Sequence, residues 1–143
     1  MIRRPPRSTQ GVSSAASDVY KRQLAALPFV VFASLVVSFF VASVVVSQFT
    51  NWWEPFVGPC CAVTVILVTF WLSPAGKRTL GLVTLLLGSF AAWLWLMPSY
   101  YPEHHPKAYQ TTAIPFVVTV GSGLLSYLLC FAIWPLKRSR RND

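Results

Sequence analysis

The sequence predicts an all-α integral membrane protein, a bundle of four transmembrane helices, and three observations predict it. First, four apolar blocks contain no Asp, Glu, Lys, Arg or His, at about residues 24–46, 56–73, 79–97 and 114–136. Second, each block has the length of about 17–25 residues that a helix needs to cross a hydrocarbon core about 30 Å thick. Third, only 11% of the residues are charged, against about 25% in a soluble domain. Too few polar side chains remain to cover four helices in water.

Proline residues mark the boundaries of the predicted helices, because proline is tolerated in a first turn and disfavoured in a helix interior. Pro28 is predicted to lie in the first turn of the first helix, and Pro55 introduces the second. Pro98 stops the third helix, and Pro115 lies in the first turn of the fourth. The blocks do not alternate apolar and polar residues as barrel strands do, so the pattern favours helices.

Residues 1–23 differ from the rest of the chain, because they are polar, basic and without hydrophobic periodicity. As biological sequence they predict a disordered cytoplasmic tail or, being rich in Arg and Ser, a mitochondrial transit peptide. The strings IRRPPRST and SDVYKRQ, in that order, resemble translated sequencing-adapter read-through. This resemblance implies an artefactual segment, so we restrict the predicted transmembrane domain to residues 24–136.

Lys and Arg residues predict the orientation, because cytoplasmic loops are enriched in them. With residues 1–23 omitted, two predicted segments, the 74–78 loop and the 137–143 tail, carry six of the seven remaining Lys and Arg residues: Lys77, Arg78, Lys137, Arg138, Arg140 and Arg141. The loops on the other side, 47–55 and 98–113, contain only Lys107. We therefore expect both termini to be cytoplasmic, and for so compact a chain we expect the bacterial inner membrane.

Aromatic residues near the block ends indicate the membrane interfaces, where amphipathic rings are enriched. The predicted anchors are Trp52, Trp53, Tyr100 and Tyr101 at the outer boundary and Trp134 at the inner one.

Small residues predict where helix backbones approach each other in lipid. The predicted packing positions are Ser34, Ser38 and Ala42 in the first block, Gly88 and Ala92 in the third, and Ser122 and Ser126 in the fourth. The stripe in the first block would fit either the internal bundle or a partner protein, and the sequence does not separate these alternatives.

Clustered metal ligands occur only in the 98–113 loop, where Glu103, His104 and His105 are adjacent, and Glu54 on the other outer loop would add a fourth. A structural zinc site needs four ligands held in a fixed geometry, and adjacent histidines in a loop rarely close one. The favoured interpretation is a solvated loop stiffened by Pro102 and Pro106. No metal and no cofactor is therefore predicted.

The sequence contains no Gly-rich phosphate loop, nucleophile elbow or paired carboxylates, so no enzymatic activity is predicted. The net charge of +8 lies at block ends rather than in a patch with a recognisable motif, which argues against nucleic acid as a partner. The predicted partner is the lipid bilayer, together with a second copy or another membrane protein contacted through helix packing.

Two functions are compatible with these features. The favoured one is a non-enzymatic structural, interaction or accessory subunit. The alternative is a minimal transporter or channel that dimerises to conduct a small solute. In size the chain resembles small multidrug exporters and fluoride channels, but no span supplies the ionisable group that proton-coupled transport needs.

Overall fold

The structure, a computed structural model, describes the backbone of residues 10–73, 76–97 and 99–139 and the side chains of residues 18–73, 76–97 and 99–133. Four helices follow one another along the chain: α1 (Gln10–Ser47), α2 (Glu54–Leu72), α3 (Lys77–Leu96) and α4 (Ile114–Ser139). All four are long and apolar enough to cross a membrane. The predicted all-helical class with four candidate spans is confirmed.

Many large apolar side chains lie on the outside of the bundle. Phe29 is 77% exposed, Phe40 is 64% exposed and Leu87 is 66% exposed. Monomeric soluble proteins rarely present contiguous apolar surface on this scale, whereas hydrocarbon tails solvate such faces at no cost. The bundle is therefore consistent with a multi-pass membrane protein.

The first helix begins well before the predicted span. α1 contains 38 residues, which at about 1.5 Å per residue is far longer than a hydrocarbon core of about 30 Å. Pro28 lies inside α1, so the prediction that it occupies the first turn is wrong. Residues 10–23 continue the helix, and the resemblance to adapter read-through stays a prediction.

The connection between α2 and α3 is shorter than predicted, because the basic pair belongs to a helix. Lys77 and Arg78, expected in a loop, form the first turn of α3 after Gly76, which has φ 63°. The Lys77 ammonium donates a hydrogen bond to the Phe70 carbonyl at 2.8 Å, and a cation is favourable near the carbonyls that end a helix. The Arg78 guanidinium lies 4.3 Å from the Phe131 ring centre. Both side chains are thus held by neighbouring helices.

α2 is the central helix of the bundle. It packs against α1, α3 and α4, and α3 also packs against α4. Within the described part of the chain, α1 packs against α2 alone. The bundle is consequently not closed: α1 and α3 stand on either side of α2 without touching each other.

The α1 stripe of small residues faces α2. Ala42 is buried with Val57 and Cys61 of α2, and the Ser38 hydroxyl donates to the Thr64 hydroxyl at 3.2 Å. This placement favours the internal alternative for that seam.

The interface between α2 and α4 is tighter still. A Cβ at Gly58 would overlap the Thr119 hydroxyl, and a Cβ at Gly123 would lie 3.5 Å from that of Ala62. The packing of α2 against α4 at Gly58 therefore depends on the absence of a Cβ.

Candidate functional site: a groove between α1 and α3

A groove of about 530 Å³ runs along the side of the bundle. α2 forms its floor, Phe39 and Phe40 of α1 form one wall, and Gly88 and Ala92 of α3 form the other. Its lining is mainly apolar and aromatic, and its volume falls in the range of about 300–1,000 Å³ typical of ligand sites. The groove is therefore a concave surface that could receive another molecule.

The groove exists because side-chain contacts between α2 and α3 concentrate near their short connection. There Gly81 packs against the Phe70 ring, and the hydroxyl oxygens of Thr69 and Thr84 are 3.5 Å apart. Farther along α3, from Thr84 to Leu96, the helix lines the groove instead. No atom of a neighbouring helix lies within 4 Å of the position that a Cβ at Gly88 would take. The α3 wall is therefore bare backbone at this point.

One end of the groove carries a polar atom without a partner among the described residues. Glu54, in the first turn of α2, lines this end. Its Oε2 atom is buried, as is the indole nitrogen of Trp52, and neither has a hydrogen-bond partner in the described residues. Glu54 lies at the positive end of the α2 helix dipole, but a dipole does not replace a hydrogen-bond donor. Leaving such an oxygen unsatisfied costs free energy, so this end of the groove is suited to a donor.

Aromatic rings hold the segment that leads into Glu54. Phe39 and Trp53 meet edge to face with ring centres 6.1 Å apart, and Trp52 lies 5.4 Å from Tyr101. In the connection between α3 and α4, which contains Tyr101, the backbone of Tyr100 pairs with that of Thr111 in an isolated antiparallel β-bridge. Ring contacts thus join the segment before Glu54 to α1 and to the connection between α3 and α4.

The four candidate metal ligands do not come together. Glu103 and His104 are exposed, and the His105 ring stacks on Tyr101 with centres 4.4 Å apart. The His105 Nδ1 atom accepts a hydrogen bond from the Lys107 amide at 3.2 Å. Within residues 18–73, 76–97 and 99–133, no group of three or more His, Cys, Asp or Glu side chains could hold a metal ion.

Ala42 is buried against α2, and the other six predicted packing residues fall into two groups. Four serines form hydrogen bonds within the bundle: Ser34 to Val31, Ser38 to Thr64, Ser122 to Thr119 and Ser126 to Ser122. Gly88 and Ala92, in contrast, line the groove.

The predicted interfacial residues are described only in part. Trp53 is 37% exposed and Tyr100 is 56% exposed. Several predicted residues lie outside the described side chains: Trp134, Lys137, Arg138, Arg140 and Arg141.

Sequence reasoning missed the groove itself and the part that Glu54 plays in it. The available signal was local: Glu54 is the single carboxylate directly preceding an apolar block, and it follows two tryptophans. Comparison with protein-family models, with curated proteins and with solved structures finds no match to this chain.

Proposed function

We propose that the chain is a non-enzymatic accessory subunit of the membrane, and that the groove between α1 and α3 receives a transmembrane helix of a partner protein. The observation that carries the proposal is Gly88, a helical glycine on the groove wall with no neighbouring atom within 4 Å of its missing Cβ. Small residues at a lipid-facing position allow a second helix to approach closely.

The dimensions of the groove suit a helix. Its α3 wall extends from Thr84 to Leu96, about 18 Å at 1.5 Å per residue. This is more than half of a hydrocarbon core of about 30 Å. Gly88 and Ala92 lie one turn apart on this wall, so a partner helix would contact α3 over three turns.

A matched pair of glycine substitutions tests this function. Gly88 and Gly121 both lie in helices with nothing within 4 Å of an added Cβ, but only Gly88 lines the groove. Gly88→Leu is expected to abolish co-purification of a stoichiometric partner in mild detergent, and Gly121→Leu is expected to retain it. A photo-crosslinking side chain at position 92 should attach to that same partner. Retention of the partner by Gly88→Leu would refute the proposal.

The proposed location is the bacterial inner membrane with both termini in the cytoplasm. The excess of Lys and Arg in the 74–78 and 137–143 segments supports this orientation. Cysteines introduced at His104 and at Ser139 should react with a membrane-impermeant maleimide from opposite sides of sealed vesicles. Reaction of both from the same side would contradict the orientation.

The alternative of a dimerising transporter or channel has weaker support. The groove walls are apolar, whereas a solute path usually contains polar groups, and Glu54 at one end is the single Asp, Glu, Lys, Arg or His among the residues that line the groove. Proteoliposomes holding the purified chain should show no saturable flux of cations, fluoride or small drugs. Clear flux would make the transporter the better proposal.

A further inference from the structure

We infer that the partner helix carries a Lys or Arg side chain at the level of Glu54, so that its cation pairs with the Glu54 carboxylate inside the groove. This inference rests on the proposed function, because it names the chemistry of the helix that the groove receives.

The Glu54 carboxylate has one oxygen without a hydrogen-bond partner among the described residues. Glu54 Oε2 is buried and has no hydrogen-bond donor within the described part of the chain, although Glu54 lines a groove wide enough to admit another molecule. A hydrogen bond in which both groups are charged is among the strongest that a side chain forms. An ammonium or guanidinium is therefore the donor that would satisfy this oxygen best.

Two tryptophan side chains line the groove together with that carboxylate. Trp53 and Trp95 line the same groove as Glu54, and Trp95 is 81% exposed. The faces of indole rings attract cations. A basic side chain that entered beside Glu54 would therefore meet a carboxylate and aromatic rings together, whereas an acidic or purely apolar side chain would gain neither.

A second copy of this chain in the same membrane orientation does not supply such a helix. In the segments 47–55 and 98–113, which lie at the Glu54 end of the bundle, the only Lys or Arg is Lys107. Lys107 lies in the connection between α3 and α4 rather than on a helix. The charge pattern therefore favours a different protein over self-association through this groove.

A lipid with an ammonium headgroup would offer Glu54 the same cationic group as a Lys-bearing helix, but its acyl chains do not need a groove of a particular shape. Acyl chains adapt to any apolar surface and gain nothing from bare backbone, whereas close helix packing depends on residues such as Gly88 and Ala92. The observations therefore favour the helix, and the lipid becomes one outcome of the test.

The test uses the full chain reconstituted in phosphatidylcholine vesicles with synthetic transmembrane helices of Leu and Ala. One helix carries a single Lys near one end, and a control helix carries norleucine there. Energy transfer between labelled protein and labelled helix reports binding. The Lys helix is expected to bind about tenfold more tightly, as a charge-assisted hydrogen bond implies. Glu54→Gln should remove this difference, and Glu103→Gln, which changes an exposed carboxylate outside the groove, should preserve it.

The outcomes separate the inference from the function on which it rests. Equal binding of both helices to the wild type, weakened by Gly88→Leu, would overturn the charge inference and leave helix docking intact. Binding of neither helix, or binding unaffected by Gly88→Leu, would overturn the docking function itself. Displacement of the Lys helix by phosphatidylethanolamine would assign the groove to lipid and overturn the inference. If Glu54→Gln is poorly folded, a charge swap still tests the pair. The Glu54→Lys variant should bind a helix that carries Glu in place of Lys more tightly than it binds the Lys helix.

Discussion

The interface between α2 and α4 and the groove between α1 and α3 use the same residue type in opposite ways. At the interface, Gly58 lies against the Thr119 side chain, and any Cβ would overlap it. In the groove, a Cβ added at Gly88 would have no atom of a neighbouring helix within 4 Å. Both glycines lie in apolar helices. A small residue therefore indicates where another helix can approach closely. Whether a helix of the same chain already lies there depends on the packing of the whole bundle.

The largest expected effect is at the occupied position. Gly58→Ala places a Cβ on the Thr119 hydroxyl, which donates to the Pro115 carbonyl at 2.6 Å and cannot easily turn away. Overpacking of this kind costs about 1–3 kcal/mol. Reversible unfolding in bicelles should show the loss. Gly121→Ala, at a helical glycine in open space, serves as the control and should not destabilise the bundle.

A smaller effect is expected at the seam that holds α1. Ser38→Ala removes the hydroxyl that donates to Thr64 across the two helices. Hydrogen bonds between membrane helices contribute about 0.6 kcal/mol on average, so the same unfolding experiment should show a loss of about that size. Ser34→Ala is the matched control, because the Ser34 hydroxyl bonds only to the Val31 carbonyl of its own helix. An equal loss from both variants would argue that the α1–α2 contact does not depend on this bond.

The smallest effect on stability is expected in the groove. Gly88→Ala meets no neighbouring atom, and alanine favours a helix over glycine by up to about 1 kcal/mol in water. The isolated chain should therefore be as stable as the wild type or slightly more stable, by the same unfolding measurement. Destabilisation comparable to that of Gly58→Ala would show that a part of this chain already fills the groove.

Hydropathy and proline positions were sufficient to predict the four helices, because both are local properties of the sequence. Helix ends were predicted less well. Lys77 and Arg78 begin α3, where their side chains reach the Phe70 carbonyl and the Phe131 ring, and the second of these contacts joins residues far apart in sequence. Pro28 lies inside α1 because the helix starts upstream, in residues with no apolar pattern.

The groove could not be predicted from the sequence for the same reason. Its existence depends on α1 packing against α2 alone, which is a property of how the helices are arranged. The sequence did identify Gly88 and Ala92 as packing residues, but it could not show that the bundle leaves them uncovered. Glu54 was noted only as a remote metal ligand, because its place at the end of the groove requires α2 and α3 together.

The most direct test of this account is the environment of position 88 in a lipid bilayer. A nitroxide attached to Gly88→Cys, in a chain whose native cysteines are replaced, should collide freely with dissolved oxygen and be protected from a water-soluble nickel chelate. The same label at position 104, in the connection between α3 and α4, should show the reverse. Accessibility to nickel at position 88 would contradict a lipid-facing groove. Protection of position 88 from both oxygen and the nickel chelate would contradict an open groove.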